Sequence, residues 1–441
     1  MQDTNPLQWD LLNLFKDDCH LFCVGDDAQS IYAFRGADFK NVHSFKTRVS
    51  DSEVLKLEDN YRSTQEILDV SNWLLSQSDL NYDKRLRAVR GNGNKPIIMN
   101  FHSDWEEANW IGGDIINRKV NESKSYSDHL ILSRSVRGLR IIEAIFIEKK
   151  IPYRVFGGTQ LLQSRHIRDV MAALRVIANP QDEIAWMRYL QLWEGIGEVT
   201  ATKYIEEILS KESIDDAIEI LKSKRTKNAK VIETLEAIKN LNNNPSEAIK
   251  ITLENMQARL AELYPADWNS KRKDDFSVLA RMSEASPTIN EFISEFILDP
   301  SLNESYLDKA EIKDIVTLST IHSAKGLEAD TCYVINVSPG AYPTKPSMLE
   351  GKEEVEEERR CLYVALTRAK NNLVITRNLT SIQSYGTVAN TSTTEEDLNI
   401  YFLDELPSDL VENKTSTITS YSSKNNYTGE SSDYDPFFNF E

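Results

Sequence analysis

Residues 314–377 restrict the fold more than any other stretch, because the hydrophobic period changes twice within them. The first part, DIVTLSTIHSAKGLEADTCYVINV, runs apolar through Ile315, Val316 and Leu318. It breaks at Ser323-Ala324-Lys325-Gly326 and resumes over 333–337, which reads as strand, polar loop, strand. From Glu354 the period is helical, with Val355, Leu362, Leu366 and Ala369 on one face, and Leu373-Val374-Ile375 forms a third strand. Strands joined through a helix predict an α/β unit with a parallel sheet, whose polar loops gather at the carboxyl ends of the strands, where such folds bind ligands.

The rest of the chain extends that pattern. A helix is expected over 6–16 (Leu7, Leu11, Leu12, Phe15) and a buried strand over 21–24. A helix over 64–75 follows, capped by Ser63 or Thr64. Then come a strand over 96–101, a helix over 105–117, a strand over 130–133, a helix over 139–148 and a short strand ending at Gly157-Gly158. From Arg165 to about Asp299 the strand signal stops and helical periodicity takes over, as expected of an all-helical insertion that splits the sheet-bearing unit. Beyond about Leu410 the residues turn to Ser, Thr, Asn and Tyr, and disorder is expected. The tip, 433–441, sets aromatics among acids in the manner of a peptide that docks on a protein partner.

Composition narrows the class. A chain of 441 residues with 40% hydrophobic content supports two or three domains with ordinary cores. No apolar run reaches the roughly 20 residues of a membrane helix, and the start lacks a basic region followed by an apolar one, so no membrane association and a cytoplasmic location are expected. Cys19, Cys23, Cys332 and Cys361 show no paired spacing and the six histidines are scattered, which argues for plain buried thiols and against a metal site. The net charge of −18 weighs against nucleic acid, but residues 381–441 alone hold eleven acidic and two basic residues. A local basic and aromatic groove suffices to grip a single strand, so global charge decides little.

Four segments then carry a resemblance. Thr320-Ile321-His322-Ser323-Ala324-Lys325-Gly326-Leu327-Glu328 resembles motif V of the UvrD/Rep family of superfamily 1 DNA helicases. Glu358-Arg359-Arg360 leading to Tyr363-Val364-Ala365-Leu366-Thr367-Arg368-Ala369 resembles motif VI. Residues 24–37, VGDDAQSIYAFRGA, resemble motif III, and 57–64, LEDNYRST, motif IV, in the family's order. The resemblance implies RecA-like parallel sheets with an all-helical inserted domain. It divides the chain into a first-lobe remnant (1–56), a second lobe (57–164 and 308–405), a 2B-like helical insertion (165–307) and an acidic tail expected to be disordered (406–441).

It also implies roles. Gln29 senses the γ-phosphate of ATP, Tyr61 stacks on adenine, Glu328 bonds the ribose, and Arg62 and Arg368 reach the γ-phosphate, where a planar, permanently charged fork suits phosphoryl transfer. Tyr32, Phe34 and Arg35 meet single-stranded DNA, where stacking is worth about 1–3 kcal/mol per base. His322 and Lys325 face the cleft between lobes near the DNA backbone. Gly195-Ile196-Gly197 resembles a loop whose amides meet duplex phosphates, although Leu192-Trp193-Glu194 stands where the family has Pro-x-Arg.

Two departures matter. Met1-Gln2-Asp3-Thr4-Asn5 matches only the end of motif II, so the Asp-Glu pair that holds Mg²⁺ and activates water in the family is absent. No Walker A loop is present either, since Gly351-Lys352 has Pro346 where a glycine is required. The expectation is therefore the C-terminal part of an ATP-dependent 3′ to 5′ DNA helicase acting in repair, recombination or replication. Its Mg²⁺ ligands would lie largely elsewhere, on a separately encoded N-terminal half if the gene is split; a truncated gene product or a cloned fragment stays open. The alternative is an inactive fragment that binds DNA or a partner. The helicase part of a recombination nuclease is disfavoured, because no nuclease domain fits in the tail.

Overall fold

Seven parallel strands, drawn from both sides of a long helical stretch, form one sheet. The computed structural model describes residues 1–15, 19–33, 36–37, 40–43, 45–49, 52–82, 84–224, 229–296, 314–379 and 400–416. A two-residue pair, β1 (Asp59–Asn60) with β2 (Arg87–Ala88), stands apart. The main sheet comprises β3 (Ile97–Phe101), β4 (His129–Ser133), β5 (Tyr153–Phe156), β6 (Val316–Thr320), β7 (Ala329–Val334), β8 (Ala369–Asn378) and β9 (Glu412–Thr415), in the order β5-β6-β4-β7-β8-β3-β9. The strands from 96–133 and from 315–375 thus interleave. The helices from Arg165–Ala178 to Ile289–Phe296 leave after edge strand β5, and the chain rejoins at its neighbour β6, so the excursion interrupts no pairing.

Side-chain alternation explains why both faces are covered. Ile131, Val316, Leu318, Tyr333 and Val374 point into one core with helices Asp104–Asn121 and Val136–Glu148 and the helical stretch. Leu130, Leu132, Cys332, Val334, Leu373 and Ile375 point into the other, with helices Gln65–Ser76 and Lys352–Leu366. Strands buried on both faces need helices on both, which is the α/β arrangement expected. Each large aliphatic side chain fully buried there contributes about 1.5–3 kcal/mol.

Two expectations fail. Residues 21–24 form no strand, and Phe22 and Val24 are exposed; an apolar run pairs only when a neighbouring strand is present, and among the described residues none adjoins it. The expected disorder beyond Leu410 does not hold for Glu412–Thr415, which pairs with β3 at the sheet edge. Its four side chains are all exposed, so backbone pairing, to which composition is blind, places it. Residues 417–441, with the acidic-aromatic tip, lie outside the described residues.

Candidate nucleotide site

A polar turn after β1 positions the first arginine. The Asn60 side-chain oxygen accepts from the backbone N–H groups of Arg62 and Ser63, both at 2.9 Å, which reverses the chain. Ser63 Oγ donates to the Ala369 carbonyl at 2.6 Å and Thr64 N to the Lys370 carbonyl at 3.2 Å, clamping the turn to the start of β8. Arg62 Nε consequently meets Glu328 Oε2 at 2.6 Å, and Arg62 Nη1 reaches the Thr367 carbonyl at 3.3 Å. The neighbouring Tyr61 ring is 73% exposed, as a stacking platform requires.

Glu328 is bracketed by cations. Lys370 Nζ lies 2.9 Å from its other oxygen, and the hydrogen bonds from Lys370 first and Arg62 second pull the carboxyl down to about 2. Arg368 is in the opposite position. Its side chain is buried, donating from Nε to the Val364 carbonyl (2.9 Å) and from Nη2 to Thr367 Oγ1 (3.1 Å), and among the described residues no carboxylate pairs with it. Burial, and then the charge of Arg62, push its pKa down to about 10, so it stays cationic at neutral pH. A desolvated cation that makes no ion pair among the described residues, beside a second cation, can receive an anion.

The edge on which this happens differs from expectation. Glu328 and Arg368 immediately precede Ala329 and Ala369, the first paired residues of β7 and β8. Arg62, Glu328 and Arg368 therefore converge on one edge of one sheet, but at the amino ends of these strands rather than the carboxyl ends. The residues enter through the helix-to-strand turn after Leu366 and the loop before β7, both of which open on that side.

A second cluster joins residues 1–33 to the lobe. Lys325 Nζ lies 2.5 Å from Asp3 Oδ2, 3.0 Å from the Gln29 carbonyl and 5.0 Å from the centre of the Tyr32 ring. Tyr32 Oη donates to the His322 carbonyl at 2.7 Å, and the two rings lie 6.2 Å apart. The Gln29 amide is turned onto Asp26 at 2.7 Å. Gln29, Tyr32, His322 and Lys325 are thus together, whereas Phe34 and Arg35 lie outside the described residues. The sequence reading missed Arg360, which donates to the Ser30 carbonyl (2.7 Å), Lys84, which pairs with Asp26, and Lys370. Arg360 lay inside a quoted motif; Lys84 and Lys370 follow no pattern.

Gly195 and Gly197 lie far along the sequence, in the turn before helix Glu198–Ile208. Gly195 has φ +86°, a conformation that favours glycine, and Gly197 is the helix N-cap with open space where a Cβ would stand. Among the described residues no group of three or more His, Cys, Asp or Glu could hold a metal ion. Among them too, no helix is long and apolar enough to cross a membrane. Cys332 and Cys361 are the buried thiols expected; Cys19 is exposed and Cys23 half-buried.

Comparison with known proteins fits this geometry. Residues 55–380 match the model of the UvrD-like helicase C-terminal domain, and residues 1–50 that of the UvrD/REP helicase N-terminal domain. The chain is 31% identical over 431 residues to an ATP-dependent DNA helicase PcrA of Staphylococcus epidermidis, a match covering 94% of this chain and 58% of the relative. It is 32% identical over 399 residues to a probable DNA helicase II homolog of Rickettsia conorii (85% of this chain, 59% of the relative), and 33% over 396 residues to that of Rickettsia felis, with the same coverage. The chain thus spans somewhat over half the length of the curated relatives it matches. With motif-bearing residues gathered at one sheet edge and a family model matched over most of its length, the chain belongs to the UvrD/Rep family of helicases.

Proposed function

We propose that this chain is the C-terminal part of an ATP-dependent 3′ to 5′ DNA helicase, in which the amino edge of β7 and β8 receives the triphosphate. The observation that carries this reading is the buried guanidinium of Arg368, which makes no ion pair among the described residues, beside Arg62. Arg62 and Arg368 bind the γ-phosphate, Tyr61 takes the adenine and Glu328 the ribose. Charge developing on the phosphoryl oxygens meets two fixed cations, one already stripped of water, so little reorganisation is needed as the reaction proceeds. The second cluster gives a route for coupling. Lys325 touches Gln29 and Asp3 on one side and sits in the His322 loop on the other, so nucleotide-driven movement at Gln29 reaches the residues assigned to the DNA strand.

Domain roles follow the sequence reading: first-lobe remnant 1–56, second lobe 57–164 and 308–405, and 2B-like insertion 165–307, in which Gly195 and Gly197 meet duplex phosphates. A partner supplying the remaining first-lobe functions, such as a separately encoded N-terminal half, suits the exposed apolar residues Leu7, Leu11, Leu14, Phe15, Phe22 and Val24. DNA-stimulated ATP turnover by residues 1–441 provides the test. Without a Walker A lysine and the motif II Asp-Glu, these residues alone should show none, and joining them to a segment that carries both should produce it. Robust turnover by the purified chain alone would defeat this assignment, and no turnover in the joined protein would favour a purely binding role.

A further inference from the structure

Lys370 has no role in the reading above, yet it is bonded to one of its central groups. Lys370 Nζ lies 2.9 Å from Glu328 Oε1, while Arg62 Nε lies 2.6 Å from Glu328 Oε2, so two cations divide one carboxylate between its oxygens. The backbone of Lys370 is itself fixed, its carbonyl accepting from Thr64 N and Arg90 Nη1, both at 3.2 Å. Arg62 is therefore already engaged by an anion with the charge sign and bonding geometry of a phosphate oxygen. A phosphate that takes the Nε–H of Arg62 must displace Glu328 from it.

Where Glu328 goes next depends on Lys370. A carboxylate held by Arg62 alone would lose its only counter-ion on displacement, or would follow the guanidinium and keep competing with the ligand. With Lys370 on its second oxygen, it retains a partner and a position. We propose that Lys370 is a positioning residue that retains Glu328 while Arg62 passes from the Glu328 carboxylate to the terminal phosphate of an incoming nucleoside triphosphate. The inference rests on the nucleotide assignment above. No covalent bond changes, and the exchange replaces one ion pair of Arg62 with another.

The experiment is a double-mutant cycle read by calorimetric titration of inorganic triphosphate into the full chain, with Arg62→Ala as reference. Glu328→Gln removes the internal competitor and should tighten binding about threefold, the scale of a partly exposed ion pair. Lys370→Met should weaken binding about threefold in the native background, because Glu328 then pairs with Arg62 alone, and Lys370→Arg should restore it. In the Glu328→Gln background Lys370→Met should be silent, since its effect runs through the carboxylate. An equal loss in both backgrounds would show that Lys370 acts on the anion directly and would overturn the inference while leaving the nucleotide site standing. Absent binding, or binding that Arg62→Ala leaves intact, would overturn the site assignment and the inference with it.

Discussion

Two arginines buried in the same lobe are treated in opposite ways. Arg140 donates to Glu143 at 2.7 Å and to the Thr159 carbonyl at 2.9 Å, with Asp275 at 3.4 Å, so its charge is balanced inside the protein. Arg368 is as deeply buried, but among the described residues it bonds a carbonyl and a hydroxyl and makes no ion pair. Leaving a desolvated charge unbalanced costs free energy that a globular fold normally avoids. The contrast separates a charge balanced within the fold from one that is not, and it makes different variants fail in different ways.

The largest effect should come from the unbalanced arginine. In a protein joining this chain to a segment with a Walker A loop and the motif II Asp-Glu, Arg368→Ala should lower ATP turnover by on the order of a thousandfold, with nucleotide affinity changing much less. Near-normal turnover would erase the distinction between the two arginines. Stability should run the other way. Glu143→Ala removes the closer carboxylate of Arg140 and the acceptor of Leu161 N, and should cost about 3–5 kcal/mol by urea unfolding of residues 1–441, whereas Arg368→Met removes a charge with no ion pair among the described residues and should leave stability unchanged or raise it. Equal losses in both would mean that Arg368 is structural.

How much of this was legible follows the same division. Arg62, Glu328 and Arg368 were found because their neighbours spell recognisable motifs, and β6, β7 and β8 because strands buried on both faces read as apolar runs. Lys370 was not, because a lysine beside an arginine at a strand start is ordinarily solvent-exposed and only the fold brings Glu328 to it. β9 escaped because ENKT carries no apolar signal. Residues 21–24 were misjudged for the converse reason: an apolar signal is present, but no strand pairs with it. The sequence also shows which residues precede a strand, yet expectation placed the motif residues at the carboxyl ends; Glu328 and Arg368 instead precede the first paired residues of β7 and β8.

Smaller tests sharpen the contrast between places where the chain is constrained and places where it is open. Gly195→Ala forces a side chain into a left-handed backbone conformation and should cost about 1–2 kcal/mol, while Gly197→Ala meets empty space and should cost only about 0.5 kcal/mol, because alanine is the poorer N-cap. If the two were equal by urea unfolding, the turn would not be the constrained element it is taken to be. Smallest is the pH effect at Glu328. Its carboxyl is held down near 2, so its stabilising contribution is complete above the ordinary glutamate range and is lost as pH falls towards 2. The stability difference between wild type and Glu328→Gln should therefore be level from neutral pH to about pH 5 and shrink progressively as pH falls from there towards 2; a difference that grows on acidification would contradict the two-cation geometry.

The central claim is that Arg368 waits for a phosphate, and ³¹P resonances of ATP report on that directly. On titrating residues 1–441 into ATP, the γ-phosphate signal should shift more than the α-phosphate signal. Arg368→Met, folded and as stable as wild type, should reduce the γ shift to the part that Arg62 supplies. A γ-phosphate shift undiminished in Arg368→Met would contradict the account.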